Sequence, residues 1–395
     1  MKKVLIIGAG FLQSFVIKKS KELGYITFAL DGNPNAIGFK YADYYACIDI
    51  VDAKACLSYA KEHKIDGVLT AATDYGVLTV SYIAEKMQLP GLKYSVAQLM
   101  KNKYQVRKCL FENHIDDMKQ VFEVNTDIEI LAGRITYPVI VKPCDGSGSR
   151  GTSRVNTPDE LARACAYAMK GSITNRAEIE SFIVGHEYGV ESFVENGNIH
   201  VLAVMKKWMT DPPYYAELGH AIPSGLDISL EEKVKTCVKN AIKALGVDFG
   251  SVNMDLLITD TGKIHIIDVG ARMGGNLIGS HIIPLGTGID YMGNIIKASV
   301  YDELDFMQKS CQVVVTRVLA LTPGTVRALP DFDVIKNEFK VQIEQHLHVG
   351  DEITPYQTNL DGCGYVIACG YDYENVMTRA ENARRKIDEL IKRVE

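Results

Sequence analysis

The sequence predicts a chain that begins as an α/β protein with a parallel sheet and continues as an α+β protein. From residue 1 to about 95, short apolar strands alternate with helical segments, and this alternation is typical of strand–helix units around a parallel sheet. Farther along, strand-like runs follow one another through tight turns, which is typical of β-hairpins. From about residue 305, two apolar runs precede a charged helix with an apolar stripe, and we expect a small closing segment there.

The composition is that of a globular protein with two or three domains: 395 residues, 47% hydrophobic and 23% charged. A net charge of −6 provides no general attraction to nucleic acid or to an anionic membrane, and no apolar run is long enough to cross a bilayer. Nine cysteines occur without CxxC or CxxxC spacing, which favours reduced thiols in the cytoplasm over disulfides or a zinc site.

The first strand and turn carry a weak dinucleotide-binding pattern. Val4–Ile7 is an apolar strand, Gly8 and Gly10 follow it, and Asp31 ends the next strand, where an acid could bind a ribose. The third glycine of the pattern is missing. Two interpretations stay open, namely a nicotinamide nucleotide site of a dehydrogenase, or a tight turn that binds no ligand.

A lysine followed by a glycine-rich loop is the first feature that indicates phosphate binding. The strand Tyr137–Lys142 leads into Pro143–Thr152, which contains three glycines and three hydroxyl side chains. Such a loop presents backbone N–H groups to phosphate oxygens, and Lys142 adds a positive charge at its base. Ser153–Val155 returns as a strand, so we expect a hairpin flap. The alternative is an ordinary mobile hairpin tip, which favours the same residues.

Two further stretches offer polar groups to a ligand. The strand over residues 177–183 is followed by Glu187, and a crossing between lobes at Glu180–Ile183 offers backbone hydrogen bonds to a planar base. Trp208–Leu226 is expected to be a long loop, and long loops inside compact domains are often functional. In this loop, Glu217 and His220 have two equally supported roles: contact with a substrate, or hydrogen bonds that hold the loop in place.

Two runs of alternating character, Val252–Ile258 and Ile264–Val269, predict a β-hairpin. A two-residue turn at Thr261-Gly262 places Asp255 directly opposite Asp268. Facing carboxylates are compatible if they share a proton or hold a cation, and oxygen ligands suit Mg²⁺. The alternative is a solvated face on which both aspartates are exposed.

The loop after this hairpin, Gly270–Asn276, brings the guanidinium of Arg272 and a closely approaching backbone to the carboxylates. Asn253 lies on the same face of its strand as Asp255, because side chains alternate along a strand.

These residues, in this order, resemble the ATP-grasp superfamily, in the branch that contains the carbamoyl-phosphate synthase large chain, biotin carboxylase and L-amino acid ligases. The resemblance covers essentially the whole chain. It implies a parallel-sheet pre-ATP-grasp domain at residues 1–95, two ATP-grasp lobes at 96–304 with a smaller lid lobe at about 115–182, and a closing α+β segment at 305–395.

The resemblance also implies roles for individual residues. The phosphates of ATP would be contacted by Lys103 and Lys142 and covered by a lid of Ser147, Gly148, Ser149, Arg150, Gly151 and Thr152. Adenine would lie against Glu180, Ser181, Phe182 and Ile183, and the ribose against Glu187. Asp255 and Asp268 would bind Mg²⁺, or Mn²⁺ in its place. Arg272 would hold the carboxylate or acyl phosphate, and Glu217–Pro223 resembles the substrate-facing loop of amino acid ligases.

Two departures from the family pattern concern the metal site. The family usually has glutamate where Asp268 stands and asparagine where Gly270 stands. The number of metal ions is therefore left open, with Asn253 or Asn276 as substitutes for the absent amide.

We therefore expect a cytoplasmic ATP-dependent carboxylate–amine ligase that forms an acyl phosphate and releases ADP and phosphate, with Arg272, Asn276 and His220 as catalytic candidates. Its partners are expected to be a small carboxylate, such as an amino acid, and an amine; a homodimer is in keeping with this branch. Three alternatives remain: a bicarbonate-using carboxylase or carbamoyl-phosphate synthase-like enzyme, a dehydrogenase, and a non-catalytic ATP sensor.

Overall fold

The computed structural model describes residues 1–117, 121–124, 133–146, 150–212 and 214–394. Three residues of the expected lid, Ser147, Gly148 and Ser149, lie outside this part of the chain.

The N-terminal layer is a four-stranded parallel sheet with helices between its strands, as the alternating pattern predicts. Its strands, in the spatial order β3-β2-β1-β4, pair in parallel. The strands and helices are β1 Lys3–Ile7, α1 Phe11–Glu22, β2 Ile26–Asp31, β3 Tyr44–Cys47, α2 Ala53–His63, β4 Gly67–Leu69 and α3 Val77–Met87.

A smaller lobe follows, built on a four-stranded antiparallel sheet with the order β5-β8-β6-β7. Two helices lead into it, and Asn102 caps the second by accepting a hydrogen bond from the N–H of Gln105. The elements are α4 Tyr94–Lys101, α5 Lys103–Glu112, β5 Val121–Val124, β6 Val139–Pro143, β7 Ser153–Val155, α6 Pro158–Lys170 and β8 Ala177–Ser181.

The remaining strands form a large antiparallel sheet and a small one. They are β9 His186–Glu195, β10 Asn198–Met209, β11 Glu217–Ile222, β12 Gly250–Ile258, β13 Ile264–Gly270, β14 Val313–Val318, β15 Gly324–Ala328, β16 Gln342–Gln345, β17 Glu352–Ile353, β18 Gly364–Gly370 and β19 Lys392–Val394. The large sheet has eight strands in the order β13-β12-β9-β10-β11-β14-β18-β16, and the small sheet has the order β17-β15-β19. The helices are α7 Ile228–Ala244, α8 Ile283–Thr287, α9 Tyr291–Ala298, α10 Phe332–Phe339 and α11 Tyr373–Leu390.

The expectation of one long loop over Trp208–Leu226 is wrong. Strand β10 continues to Met209, and Glu217–Ile222 is strand β11 in the middle of the large sheet. Strand β11 pairs with β10 on one side and with β14 on the other. Glu217 and His220 therefore lie on a sheet strand and not on a loop.

The predicted hairpin forms, and Asp255 pairs with Asp268 as predicted, but by another route. Ile258 pairs with Ile264, so the connection is longer than the expected two-residue turn. A bulge then shifts the register by one residue at Ile267, and this shift restores the pairing of the two aspartates.

Among the described residues, no helix is long and apolar enough to cross a membrane.

Candidate active site

A cleft with a volume of about 700 Å³ lies between the small antiparallel lobe and the large sheet. Its size is that of a typical ligand site. The cleft is lined by residues that sequence reasoning singled out, among them Lys103, Lys142, Arg150, Thr152, Glu180, Ser181, Phe182, Ile183, Glu187, Glu217, Asp255 and Asp268. Gly151, between Arg150 and Thr152, has a φ of +75°, so its role in the flap is conformational.

Lys103 and Lys142 hold positive charge on one side of the cleft. Lys103 is the first residue of α5, and its ammonium forms an ion pair with Asp268. The Lys142 Nζ lies 2.5 Å from a Glu180 carboxylate oxygen and 3.3 Å from Glu178, and it donates to the Ile267 carbonyl at 2.9 Å. Burial alone would lower the pKa of Lys142, but Glu180 and Glu178 hold it above its usual range. Lys142 is therefore cationic at neutral pH.

Glu180 is buried, and cations hold both of its carboxylate oxygens. Lys142 contacts one oxygen, and a guanidinium nitrogen of Arg107 lies 3.1 Å from the other. Arg107 also contacts the Asp116 carboxylate at 3.0 Å and donates to the Ile266 carbonyl. Arg107 was not among the candidates that sequence reasoning singled out. In the structure, it connects α5 to β8 and β13.

Asp255 and Asp268 face each other in the same cleft, where Asp255 contacts Lys207 and Asp268 contacts Lys103. The Asp268 side chain is 42% exposed and that of Asp255 24%, so their oxygens can be reached from the cleft. Burial alone would raise the pKa of Asp268, but Lys103 and Lys142 hold it well below its usual range. Two accessible carboxylates are a suitable oxygen donor set for Mg²⁺ or Mn²⁺.

The amides expected to complete a metal site are engaged elsewhere. Asn253 donates to Glu191 at 3.0 Å and lies 3.4 Å from an Arg272 nitrogen through its carbonyl oxygen. Asn276 donates to Glu217 and accepts a hydrogen bond from the Tyr365 hydroxyl at 2.8 Å. The donor set that this structure offers is therefore the two aspartates.

Lys207 is central to the site, and sequence reasoning missed it. Its side chain is 1% exposed, and its Nζ lies 2.8 Å from Asp255, 2.9 Å from Glu217 and 3.8 Å from Glu187. Burial alone would lower its pKa, but these three carboxylates raise it. The available signal was the pair Lys206-Lys207 in the strand-like run, because adjacent residues on a strand face opposite sides and one lysine must point inward.

Glu217, His220 and Asn276 form a connected cluster beside the cleft. The His220 Nε2 lies 3.6 Å from the Glu217 carboxylate, to which Asn276 donates. Burial alone would raise the pKa of Glu217, but Lys207 and His220 lower it to about 2. Burial lowers the pKa of His220 to about 4. At neutral pH, the cluster thus combines a carboxylate anion with an uncharged imidazole.

Arg272 lies behind the aspartates and forms an ion pair with Asp74 from the N-terminal layer. Its Nε lies 2.9 Å from one Asp74 oxygen, and another guanidinium nitrogen lies 3.1 Å from the second. Asp74 does not cap α3, because the residue before that helix is Gly76. The structure therefore assigns Asp74 to the orientation of Arg272.

Glu191 holds the loop that carries Arg272, and it is a second group that sequence reasoning missed. It is buried in the sheet and accepts hydrogen bonds from the Gly274 N–H at 3.1 Å, the Asn253 amide at 3.0 Å and the Tyr291 hydroxyl at 2.7 Å. Burial raises its pKa to about 7. Gly274 fits tightly here, because a Cβ on it would lie 2.9 Å from Glu191.

The dinucleotide-like turn is explained by local structure. Asp31 accepts a hydrogen bond from the Ala9 N–H at 2.8 Å through one oxygen and from the Asn33 N–H at 2.9 Å through the other. Gly8 has a φ of +100°, which favours glycine. Since its oxygens hold backbone groups, Asp31 gives no support to the dehydrogenase alternative.

Two regions of the chain match known domain families. Residues 135–280 match the ATP-grasp domain, and residues 317–389 match the L-amino acid ligase C-terminal domain 2. A curated but uncharacterised protein from Sinorhizobium fredii is 23% identical over 335 residues, which are 83% of this chain and 69% of that protein. The chain spans about half the length of several other curated relatives, among them formate-dependent phosphoribosylglycinamide formyltransferases from Prochlorococcus marinus.

Solved structures share the fold over nearly the whole chain. The L-amino acid ligase from Bacillus licheniformis superposes with a TM-score of 0.84 at 22% identity, covering 100% of this chain and 98% of that one. The biotin carboxylase domain of the Hydrogenobacter thermophilus 2-oxoglutarate carboxylase, solved with magnesium ADP and bicarbonate, gives 0.79 at 19% identity, covering 100% and 90%. These likenesses confirm the predicted fold class.

Proposed function

We propose that this chain is an ATP-grasp ligase that joins a small carboxylate to an amine through an acyl phosphate. Its match to the ATP-grasp domain, followed by a match to the L-amino acid ligase C-terminal domain 2, supports this proposal. An amino acid is the proposed carboxylate. The products are an amide, ADP and phosphate. We also propose a homodimer in the cytoplasm, as for the branch that the sequence resembles.

The observation that carries this proposal is the distribution of charge across one cleft. Lys103, Lys142, Asp255 and Asp268 all line the same volume, and the ammonium of Lys103 is in direct contact with Asp268. Triphosphate charge is neutralised by fixed cations and by a divalent metal between carboxylates, so phosphoryl transfer needs no dedicated protein nucleophile. A Mg²⁺ or Mn²⁺ ion held by the two aspartates would supply charge neutralisation and alignment of the phosphates.

The proposed reaction has two steps. A carboxylate oxygen of the substrate attacks the γ-phosphorus of ATP, and the bond to the bridging oxygen breaks with its electron pair leaving on ADP. The amine nitrogen then attacks the acyl carbon, and phosphate departs. Arg272 orients the carboxylate and then the acyl phosphate, and the close approach of reacting groups supplies much of the rate enhancement.

His220 is the proposed acceptor of the proton that the amine loses. Its low pKa keeps the imidazole uncharged, and its Nδ1 has no hydrogen-bond partner within the described residues. Glu217, an anion beside it, would orient the amine or its ammonium form, while Asn276 holds Glu217 in place.

The proposal is tested by measuring ADP release from the purified protein with Mg²⁺ and pairs of amino acids or small carboxylates. We expect at least one pair to raise ADP release well above background, and chelation by EDTA to abolish it until Mg²⁺ or Mn²⁺ is restored. ATP binding without stimulation by any pair would favour the sensor alternative. Stimulation by bicarbonate alone would favour the carboxylase alternative.

Lys103→Met is the variant that tests the phosphate side of the cleft. Its partner Asp268 is partly exposed, so the fold should persist while turnover falls at least tenfold. Lys142→Ala is a poorer test, because it would leave Glu178 and Glu180 buried without their cation. Turnover equal to wild type in Lys103→Met would remove this lysine from the mechanism.

A further inference from the structure

The N-terminal layer contributes a short loop, Ala72–Tyr75, to the edge of the cleft. The Ala72 N–H donates to the Met273 carbonyl at 3.1 Å, so the loop is bound to the segment that carries Arg272. Asp74 holds the Arg272 guanidinium through two oxygens. Tyr75 reaches the other way, toward the flap.

Tyr75 contacts a flap residue that lines the cleft. A guanidinium nitrogen of Arg150 donates to the Tyr75 hydroxyl at 2.6 Å, and the guanidinium carbon lies 5.9 Å from the ring centroid. The Lys101 Nζ lies 4.7 Å from the same centroid and donates to the Asp145 carbonyl at 2.9 Å. The Tyr75 ring therefore contacts two cations, Arg150 and Lys101. The Tyr75 hydroxyl also orients the Arg150 guanidinium through its hydrogen bond.

Asp74 and Tyr75 are adjacent in the chain, and the arginines that they contact come from different lobes. Arg150 belongs to the small antiparallel lobe and faces the nucleotide cleft. Arg272 belongs to the large sheet, on the side assigned above to the carboxylate. One loop of the N-terminal layer thus sets the relative position of a nucleotide-side and a carboxylate-side guanidinium.

We propose that Tyr75 is a positioning residue for nucleotide binding, which acts by holding Arg150 against the phosphates. This inference rests on the proposed function, and it assigns to the N-terminal layer a part in the ATP site. Tyr75 itself does not contact the nucleotide. Its effect passes entirely through Arg150.

The first measurement is the Kd of the magnesium complex of β,γ-imido-ATP for the intact protein. The chain has one tryptophan, and Trp208 lines the cleft, so its fluorescence reports binding without turnover. Tyr75→Phe removes the hydroxyl but keeps the ring beside Lys101. We expect the Kd to rise about tenfold, since the lost hydrogen bond has a charged donor. Tyr45→Phe, at a tyrosine that is 60% exposed on the edge strand of the N-terminal sheet, should leave the Kd unchanged.

The second measurement places Tyr75→Phe in an Arg150→Met background. If Tyr75 acts through Arg150, the two substitutions are not additive, and Tyr75→Phe has no further effect on Kd. A merely structural role would raise the Kd by the same factor in both backgrounds and would overturn the inference. Thermal unfolding without nucleotide should give the same Tm for wild type and Tyr75→Phe.

The failure of this inference is distinguishable from failure of the proposed function. Wild-type binding of the analogue together with an unchanged Kd in Tyr75→Phe would overturn only the role of Tyr75. No binding by wild type at millimolar analogue would overturn both.

Discussion

At the scale of single residues, the site depends on buried charges that neutralise one another. Lys207, whose side chain is buried, lies between Asp255, Glu217 and Glu187. Removing one partner from a buried ion pair leaves the other charge without compensation, which costs about 3–5 kcal/mol. Lys207 contacts both Asp255, a proposed metal ligand, and Glu217, a proposed substrate contact. The stability of the fold and the function of the site therefore depend on the same ammonium group.

Lys207→Met should lower the free energy of unfolding by about 3–5 kcal/mol, because three carboxylates lose their common cation. Lys206→Met is the matched control, since this neighbour points to the other face of the strand, where it is partly exposed, and its loss should have little effect. Urea unfolding followed by circular dichroism measures both. Equal stabilities for the two variants would show that the buried network does not support the fold.

His220 should make the stability of the protein depend on pH between about 4 and 6.5. Burial lowers its folded-state pKa to about 4, whereas the unfolded chain takes up the proton near 6.5. Between these values the unfolded state binds more protons, so stability rises with pH and is lost as the pH falls. The contribution of this one group is about 3 kcal/mol across the window.

Urea unfolding of wild type and His220→Gln at pH 6.5 and pH 4 checks this dependence. The variant should lose about 3 kcal/mol less than wild type over that interval. His348→Gln, at an exposed histidine, should behave as wild type. A pH dependence in His220→Gln as steep as that of wild type would contradict the prediction.

At the scale of elements, the loop after β13 is positioned by a close approach of backbone to Glu191. A Cβ on Gly274 would lie 2.7 Å from Ile278, 2.9 Å from Asn253 and 2.9 Å from Glu191. At the neighbouring Gly275, it would meet only Leu12, at an ordinary 3.7 Å. A side chain therefore fits at Gly275 but not at Gly274.

Gly274→Ala should lower the free energy of unfolding by about 1–3 kcal/mol and reduce turnover at least tenfold, because the loop must shift away from its hydrogen bonds to Glu191. Gly275→Ala should change both quantities little. Thermal unfolding and ADP release measure the two effects. Wild-type turnover in Gly274→Ala would show that the loop position is not critical.

The predictions of secondary structure were most reliable where the local sequence pattern alone determines the structure. Alternation in the hairpin predicted that Asp255 faces Asp268, and the structure confirms this pairing. The turn itself was predicted wrongly, because the bulge at Ile267 is stabilised by a distant group, the Lys142 ammonium. Strand β11 was missed because β14, one of its two pairing partners, lies about a hundred residues away and contributes nothing to a local pattern.

The same limit applies to the candidate site. Lys103, Lys142 and the two aspartates were found from residue type and order, and the cleft brings them together. The contacts that Asp74 and Glu191 make were not predicted, because their partners Arg272 and Gly274 lie far along the chain. No property of an isolated strand or turn distinguishes them from ordinary acids.

At the scale of the whole molecule, one sheet crosses the predicted boundary at residues 304 and 305. Strand β11 pairs with β14, so the eight strands come from both sides of that boundary. Helix α1 of the N-terminal layer also packs on the closing segment, through Phe11 and Leu12 against a cluster that includes Val314 and Tyr365. The predicted segments therefore share their packing.

A fragment of residues 1–304 should fail to fold cooperatively, because it loses three strands of the large sheet and leaves the edge of β11 exposed. The full chain is the control, and urea unfolding of both, followed by circular dichroism, is the measurement. A soluble fragment with a steep transition like that of the full chain would show that the closing segment is an independent domain.

The position of Arg107 determines how the two sides of the cleft can separate. It is bonded at once to Glu180 of β8, to the Ile266 carbonyl of β13 and to Asp116. If the small lobe moves away from the large sheet while the bonds of Arg107 persist, it must rotate about a point close to the Arg107 guanidinium. Strands β8 and β13 stay together in any such movement, and the parts of the small lobe that lie farthest from Arg107 move most.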